Sequence, residues 1–489
     1  MAATQTTQPL EGGGRLGPPP VGRELAALAA ILVVYLAVTV AGVLHGAPLG
    51  HDEAVYSSQA RSFATGAPSV GFWGDYRAPG LPWVLQLAWL GPATEPYLRM
   101  VVAVWGAAGL ALTWLLGRSL FGRWEGLAAA AGLGVTPIWV SAATHVWPDV
   151  PGATVGLAAL AVLVAATHDD RISWWILLAA PLTLAATVVR YGAPGPILVG
   201  ALAIAWWRRR AIRSGIGKVV ALAVATGGPL AIVLLTNLTF STATPPLRAA
   251  MQLRPNRGGT IADGWVVLGN ELPELLAQPA IVFLFTGLAL AVAMRVEDRE
   301  RRSRLLMVLA TSLGTLVVLA TALSSELRYF APLLPWMWLG AGVGIVALVR
   351  NLDRGAVLAL GAVSLVALGF GVNGSTGEDA DLLTDRFQRL REAARDRQWP
   401  PGCHIATSYG PQVGWYTGCT TVEFVLGGVD DPVPTSPPAT HILVLQGGKR
   451  QPVNLRPWLD ASTELAFTYG DRSLGSLQFI EVYVPVPTG

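Results

Sequence analysis

The stretch Gly50-His51-Asp52-Glu53-Ala54-Val55-Tyr56 places two adjacent carboxylates directly after the first long apolar run of the chain. An apolar run of that length is expected to cross a membrane, so Asp52 and Glu53 fall where a helix leaves the bilayer. Acidic side chains also suit the start of an ordinary surface helix, because they interact favourably with its N-terminal dipole. The stretch is therefore either the floor of an active site that membrane helices support or a simple helix cap.

The composition around this stretch is typical of a polytopic membrane protein. Hydrophobic residues make up 52% of the 489 residues and charged residues 13%, whereas a soluble chain carries roughly a quarter charged residues. The apolar residues form long blocks separated by basic clusters. The net charge of +3 does not predict nucleic-acid binding, because the arginines mostly lie between apolar blocks, where topology signals belong.

About eleven apolar segments are long enough to cross a hydrocarbon core of ~30 Å as helices. They cover residues 24–45, 97–117, 125–144, 151–167, 173–189, 193–207, 218–236, 279–294, 305–323, 329–349 and 355–372. A shorter run at 79–90 contains Pro82 and is expected to lie at the interface or to re-enter the membrane. The sequence thus predicts a mainly helical, multi-pass protein of the plasma membrane that contacts membrane lipids.

The basic clusters predict the orientation and the domains. The densest clusters fall in loops on the side of the N-terminus, which the positive-inside rule assigns to the cytoplasm. Residues 1–22, rich in glycine and proline, are expected to form a disordered cytoplasmic tail, and residues 23–373 a transmembrane catalytic domain. Residues 374–489 are expected outside the cytoplasm as a small α/β domain.

Four strand-like runs and both cysteines lie in this last region. The runs are Ile405–Tyr409, Thr421–Leu426, His441–Leu445 and Gln478–Val484. An extracytoplasmic location permits a disulfide between Cys403 and Cys419, but two free thiols are equally compatible with the sequence.

Further charged residues fall on the same predicted outer side as Asp52. Asp149 begins a span, where the alternative is a prolyl turn with a solvated carboxylate. Arg77, Arg190 and Arg328 suit phosphate recognition because the guanidinium is planar and always charged, although each could instead snorkel to lipid headgroups. This combination predicts a lipid-phosphate substrate and a second, hydroxyl-bearing substrate, because nucleotide-sugars are absent outside the cytoplasm.

Five motifs carry a resemblance to a known family. In chain order they are Asp52-Glu53, Arg77-Ala78-Pro79-Gly80, Arg118-Ser119-Leu120-Phe121-Gly122-Arg123, Pro148-Asp149 and Arg328-Tyr329-Phe330-Ala331-Pro332-Leu333-Leu334-Pro335. Residues 24–350 thereby resemble the GT-C membrane glycosyltransferases, specifically glycosyltransferase family 39 with the protein O-mannosyltransferases and lipid A aminoarabinose transferases. Gly414-Trp415-Tyr416-Thr417-Gly418 resembles a motif of the family's outer domain.

The resemblance implies roles for particular residues. Asp52 corresponds to the proposed catalytic base and Asp149 to the acidic residue before the fourth span. Arg77 corresponds to the basic residue of a Lys-Pro-Pro-like element, from which Ala78 departs. Arg190-Tyr191-Gly192 stands where the family has Lys-Gly, and these departures leave the donor sugar open more than the reaction type.

Residues and resemblance together predict an inverting glycosyltransferase. It would move a hexosyl or pentosyl group from a polyprenyl-phosphate donor to an extracytoplasmic hydroxyl of a protein, lipid or cell-wall glycan. Asp52 would act as the base, an arginine would stabilise the leaving phosphate, and Glu53 and Asp149 would position the acceptor or orient the arginines. The expected substrate-binding residues are Arg77, Arg190, Tyr191, Arg328, Tyr329, Tyr56 and His51.

No cofactor is required by this scheme, although acidic residues near a phosphate do not exclude a divalent metal. A transporter or lipid flippase is the alternative function. It would show charges near helix centres and paired broken helices, whereas the charges here lie at helix ends on one side. A third alternative is a non-catalytic envelope scaffold.

Overall fold

The fold is mainly helical, with one small sheet formed near the C-terminus. The computed structural model describes residues 21–67, 77–167, 171–236, 298–321, 327–351, 387–394, 398–425, 431–433, 438–445, 451–469 and 480–486. The predicted spans 279–294 and 355–372, the predicted domain boundary at 373 and most of the predicted N-terminal tail lie outside these residues.

Five helices in the described part of the chain are long and apolar enough to cross a membrane. They are α1 (Val21–Leu44), α4 (Glu95–Leu120), α7 (Asp149–Ala166), α11 (Ile216–Leu235) and α12 (Arg299–Thr321). Helices α5 (Arg123–Gly134) and α6 (Pro137–Ala143) would together form a sixth span that bends by 64°. The bend coincides with Pro137, which cannot donate the hydrogen bond that would continue α5.

Shorter helices also lie in the described part of the chain. They are α2 (His51–Thr65), α3 (Gly80–Leu85), α8 (Ala179–Val189), α9 (Pro194–Trp207), α10 (Arg209–Ser214) and α13 (Leu334–Asn351). Three 3₁₀ segments lie at Gln86–Leu90, Trp174–Leu178 and Leu327–Phe330. The predicted interfacial run at 79–90 is thus a short helix followed by a 3₁₀ turn.

Close helix packing surrounds α4, which contacts α1, α5 and α7. A side chain at Gly117 would come within 2.6 Å of the Gly126 Cα atom, so the backbones of α4 and α5 nearly touch. The fully buried Trp139 of α6 fills the space beside Gly109. Glycine at these positions therefore fixes how the helices that carry the site are spaced.

The sheet has five strands in the order β2-β1-β3-β5-β4. The strands are β1 (His404–Thr407), β2 (Thr420–Glu423), β3 (His441–Leu445), β4 (Thr463–Tyr469) and β5 (Ile480–Pro485). β1 pairs in parallel with β2 and β3, whereas β5 pairs antiparallel with β3 and β4. Four strands fall where the sequence predicted them; no strand was predicted at β4.

Two helices and a disulfide accompany the sheet. Helix α14 (Gly410–Thr417) connects β1 to β2, and α15 (Leu455–Ser462) precedes β4. Cys403 and Cys419 form a disulfide, which was one of the two alternatives that the sequence left open.

Candidate active site

The site is organised around the first turn of α2. Glu53 accepts a hydrogen bond from the backbone N–H of Gly50 at 3.0 Å, which is the reach-back contact of a helix N-terminus. This contact fixes the start of the helix at His51. It leaves the neighbouring Asp52 side chain 21% exposed and directed elsewhere, because adjacent helical residues point in different directions.

Two arginines hold the Asp52 carboxylate, one at each oxygen. Arg77 Nη2 lies 2.5 Å from Oδ1, and Arg328 Nη2 lies 2.6 Å from Oδ2. Burial alone would raise the pKa of Asp52, but the charges of Arg77 and Arg328 outweigh it and lower the pKa from 3.8 to about 2. In this arrangement Asp52 is ionised and only weakly basic.

Asp149 is the second carboxylate of the cluster and is almost fully buried. It forms an ion pair with Arg190, and its Oδ2 lies 4.0 Å from Nε of Arg328. Arg328 therefore bridges Asp52 and Asp149. Three guanidinium groups face two carboxylates among the described residues, so these five side chains together carry one net positive charge, which favours a bound anion.

Close backbone packing brings these arginines together. A side chain at Gly80 would come within 2.7 Å of the Val188 carbonyl group, so the start of α3 lies directly against the end of α8. Arg77 precedes α3 by three residues, and Arg190 follows α8 immediately. The Pro-Gly sequence after Arg77 thus places both guanidinium groups at one site.

Aromatic rings lie against the guanidinium groups. Tyr329 lies 4.8 Å from Arg190 and 5.3 Å from Arg328, measured from the guanidinium carbon to the ring centroid. Tyr56 lies 5.6 Å from Arg77. Such cation–π contacts orient the charges without neutralising them.

The remaining predicted residues also belong to this neighbourhood. The charge of His51 contributes to lowering the pKa of Asp52, so the ring lies near that carboxylate. Burial, with a smaller contribution from Tyr56, raises the pKa of Tyr191 and places its ring near Tyr56. Trp147 was not predicted as a site residue, yet its ring lies 4.3 Å from the Arg328 guanidinium and stacks on His145. Its place directly before the Pro148-Asp149 motif was the sequence signal that could have identified Trp147 as a site residue.

Glu53 has different partners from Asp52. Its oxygens accept from Nε and Nη2 of Arg99 at 3.0 and 2.9 Å and from the Val146 backbone N–H at 2.8 Å. Burial would raise the pKa of Glu53, but Arg99 outweighs it and lowers the value. Glu53 is 2% exposed and joins α2, α4 and the loop that leads to Asp149.

Arg99 is a residue that the sequence reasoning missed. It lies inside the segment predicted to span the membrane at 97–117, where an ionisable side chain is costly and therefore informative. Besides Glu53, it donates to the Ala47 carbonyl at 2.8 Å, and so fixes the loop between α1 and α2.

An apolar groove begins beside the charged cluster. It encloses a cavity of only about 20 Å³, room for about one water molecule, between α7, α9 and the start of α13, with Gly156, Ile197 and Trp336 among its lining residues. Gly152 lines the end near Arg190, where an added Cβ would lie 3.0 Å from the Arg190 Cβ atom. A narrow apolar groove therefore lies next to the backbone that carries Arg190.

The described residues contain no group of three or more His, Cys, Asp or Glu side chains placed to hold a metal ion. The independence from metal ions expected from the sequence stays a prediction.

Comparison with known proteins finds a family model that matches part of the chain and solved structures with a similar fold. Residues 76–233 match the family model for dolichyl-phosphate-mannose-protein mannosyltransferase. The chain is similar to the structure of ArnT from Cupriavidus metallidurans bound to undecaprenyl phosphate, with a TM-score of 0.64 and 16% identity over 96% of this chain and 99% of that one. Among curated proteins no significant match was found.

Two structures of the Archaeoglobus fulgidus oligosaccharyltransferase are also similar. The complex with Zn and sulfate has a TM-score of 0.57 and 12% identity, over 85% of this chain and 67% of that chain. The complex of AglB with an inhibitory peptide and a dolichol-phosphate has a TM-score of 0.52 and 11% identity, over 85% and 69%. At these identities the likeness concerns the fold.

Proposed function

We propose that the chain transfers a sugar from polyprenyl phosphate to an extracytoplasmic hydroxyl with inversion at the anomeric carbon. The proposal starts from the fold, which is that of the GT-C membrane glycosyltransferases. The observation that carries the proposal is the cluster of three arginines around Asp52 and Asp149, beside which a narrow apolar groove lies. The similar structures support it, since ArnT was solved with undecaprenyl phosphate and AglB with a dolichol-phosphate.

The shape of the site favours a lipid phosphate over a soluble anion. Guanidinium groups bind phosphate through paired, charge-assisted hydrogen bonds. The groove passes Gly152, which lies beside Arg190, and its apolar lining is the kind of surface that an isoprenoid chain attached to that phosphate would contact once the groove widens. A soluble phosphate ester would make no use of the apolar part.

Donor binding also explains how Asp52 could become a base. The phosphate competes with Asp52 for Arg77 and Arg328, and each guanidinium that turns to the phosphate weakens its hold on the carboxylate. The pKa of Asp52 then rises from about 2 toward its ordinary value. Activation of the base is therefore coupled to the presence of the donor.

The chemistry is a single displacement. Asp52 takes the proton of the acceptor hydroxyl, the acceptor oxygen forms a bond to the anomeric carbon, and the bond from that carbon to the phosphate oxygen breaks. The electron pair leaves with polyprenyl phosphate, whose developing charge Arg328 and its neighbours stabilise. Phosphate is a weak base, so no acid needs to protonate it. Asp149 orients Arg190 and Arg328.

The distribution of charge supports an extracytoplasmic site. Glu24, near the start of α1, pairs with Arg118 and Arg123 at the end of α4 and the start of α5. Arg301, near the start of α12, pairs with Glu125. The basic residues therefore gather at one end of α1 and α4, and Asp52 follows the opposite end, as the positive-inside rule requires of an outer site.

The test is a transfer assay with purified protein in lipid nanodiscs. Candidate donors are polyprenyl phosphates that carry labelled hexoses or pentoses, and the readout is released polyprenyl phosphate together with labelled acceptor. Wild type should transfer, and Arg328→Ala should not. Arg456→Ala is the matched control, because this arginine pairs with Glu481 in the C-terminal sheet. Movement of intact donor across the bilayer without release of carrier phosphate would favour a flippase instead.

A further inference from the structure

Helix α14 of the C-terminal region lies against α2, the helix that begins one residue before Asp52. Tyr416 of α14 accepts a hydrogen bond from the backbone N–H of Leu49 at 2.7 Å. Leu49 is fully buried, and the Tyr416 ring packs against the apolar cluster that contains Leu49 and Tyr56. The hydroxyl therefore fixes the backbone three residues before the proposed base.

Arg61 makes a second connection near the end of α2. Its Nη2 donates to the Gly414 carbonyl at 2.8 Å, and its Nη1 donates to the Trp415 carbonyl at 3.1 Å. The guanidinium also lies 5.3 Å from the centroid of the Trp415 ring. The Gly414 carbonyl also accepts from the Gly418 backbone N–H at 3.1 Å, whereas the Trp415 carbonyl lies in the last turn, where intrahelical partners are lacking, so Arg61 caps α14 while tying it to α2. α14 thus holds the segment 49–61 at both ends.

The disulfide fixes α14 to the sheet. Cys403 directly precedes β1, and Cys419 directly precedes β2, so the bond encloses β1 and α14 in one covalent loop. Thr421 Oγ1 adds a hydrogen bond to the Gly410 carbonyl at 3.0 Å. A cross-link of this kind restricts the conformations open to the enclosed segment.

We propose that α14, held by this disulfide, is a positioning element for the reaction and sets the place of the Asp52 carboxylate through Tyr416. The inference rests on the proposed function, in which Asp52 is the base. The hydrogen bonds of the carboxylate go to Arg77 and Arg328, so Tyr416 acts through the backbone. A displacement of about 1 Å can lower the rate about 10²-fold, which makes the anchor kinetically important.

The first test is Tyr416→Phe, which removes only the hydroxyl. We expect kcat to fall about tenfold while the KM for the lipid donor stays nearly constant, because the donor arginines are untouched. Replacing both cysteines by serine should lower kcat in the same way. If the wild-type protein is active and kcat is unchanged in both variants, the positioning role is refuted while the proposed function stands.

The matched control is Tyr483→Phe in the same sheet. Its buried hydroxyl donates to Glu481 at 2.9 Å, so its loss also weakens the C-terminal region, but away from α2. We expect wild-type kcat. An equal loss of kcat in Tyr483→Phe and Tyr416→Phe would assign the effect to general stability and overturn the proposal.

A double-mutant cycle with Asp52→Asn completes the experiment. If Tyr416 acts through the position of Asp52, Tyr416→Phe should cause no further loss in the residual activity of Asp52→Asn. A full additional tenfold loss would show that Tyr416 acts independently of the base. Absence of transfer by the wild-type protein with any donor would refute the proposed function, and with it the inference.

Discussion

Replacing Asp52 by asparagine should separate the two tasks of this residue. The amide keeps the size of the side chain but cannot accept a proton as a base, which typically costs about 10²–10⁴-fold in rate. The same change removes the negative charge that competes with the donor for Arg77 and Arg328. Transfer should therefore almost cease while the donor binds more tightly.

The size of the second effect follows from the structure. Arg77 and Arg328 lower the pKa of Asp52 from 3.8 to about 2, even though burial acts in the opposite direction. At 1.36 kcal/mol per pKa unit, the net preference for the charged carboxylate is roughly 2–3 kcal/mol. A donor phosphate that takes both arginines must offset this interaction. Without it, donor affinity should rise on the order of 10- to 100-fold.

Two measurements on Asp52→Asn check the reasoning. Single-turnover transfer reports the chemical step, and titration with a fluorescent polyprenyl phosphate reports donor affinity. Asp460→Asn is the control, because this exposed carboxylate lies in the C-terminal region, where it pairs with Arg456 and not with a residue of the charged cluster. Transfer within tenfold of wild type would show that Asp52 is not the base. If Asp149→Asn were inactive at the same time, the role would pass to Asp149.

The remaining predictions concern other parts of the chain. Arg328→Lys should lose much of the transfer activity, because a point charge cannot bind both carboxylates. Arg190→Lys should lose less activity, since the resembling family has lysine at this position. Initial transfer rates of the two variants check both expectations. Glu53→Gln should destabilise the fold by about 3–5 kcal/mol, seen as a lower thermal midpoint. Because folding lowers the pKa of Glu53, its contribution to the stability of the fold is complete above pH 4.5, its ordinary pKa, and is lost as the pH falls below that value. A membrane-impermeant maleimide should label Cys403 and Cys419 on intact cells only after reduction; labelling that requires permeabilised cells would reverse the orientation.

Most charged residues of the cluster could be predicted from the sequence, because a charge is costly in so apolar a chain. Asp52, Arg77 and Arg328 stood out at the ends of apolar segments, and the structure places all three in one cluster. Arg99 was missed, although a charge inside a predicted span is informative, because it belongs to none of the motifs that carry the family resemblance. The strand β4 was missed as well, because no period-two run was recognised there.

Local hydrophobicity and charge were enough to indicate the helical membrane class and most of the ionisable residues that gather around Asp52. How these residues pair depends on tertiary contacts. Asp52 and Glu53 are neighbours in the chain, yet one faces Arg77 and Arg328 and the other is buried against Arg99. The partners of Asp52 lie 25 and 276 residues away. No local pattern encodes such distances, because the close packing of helices and the anchoring of α2 by α14 bring the charges together.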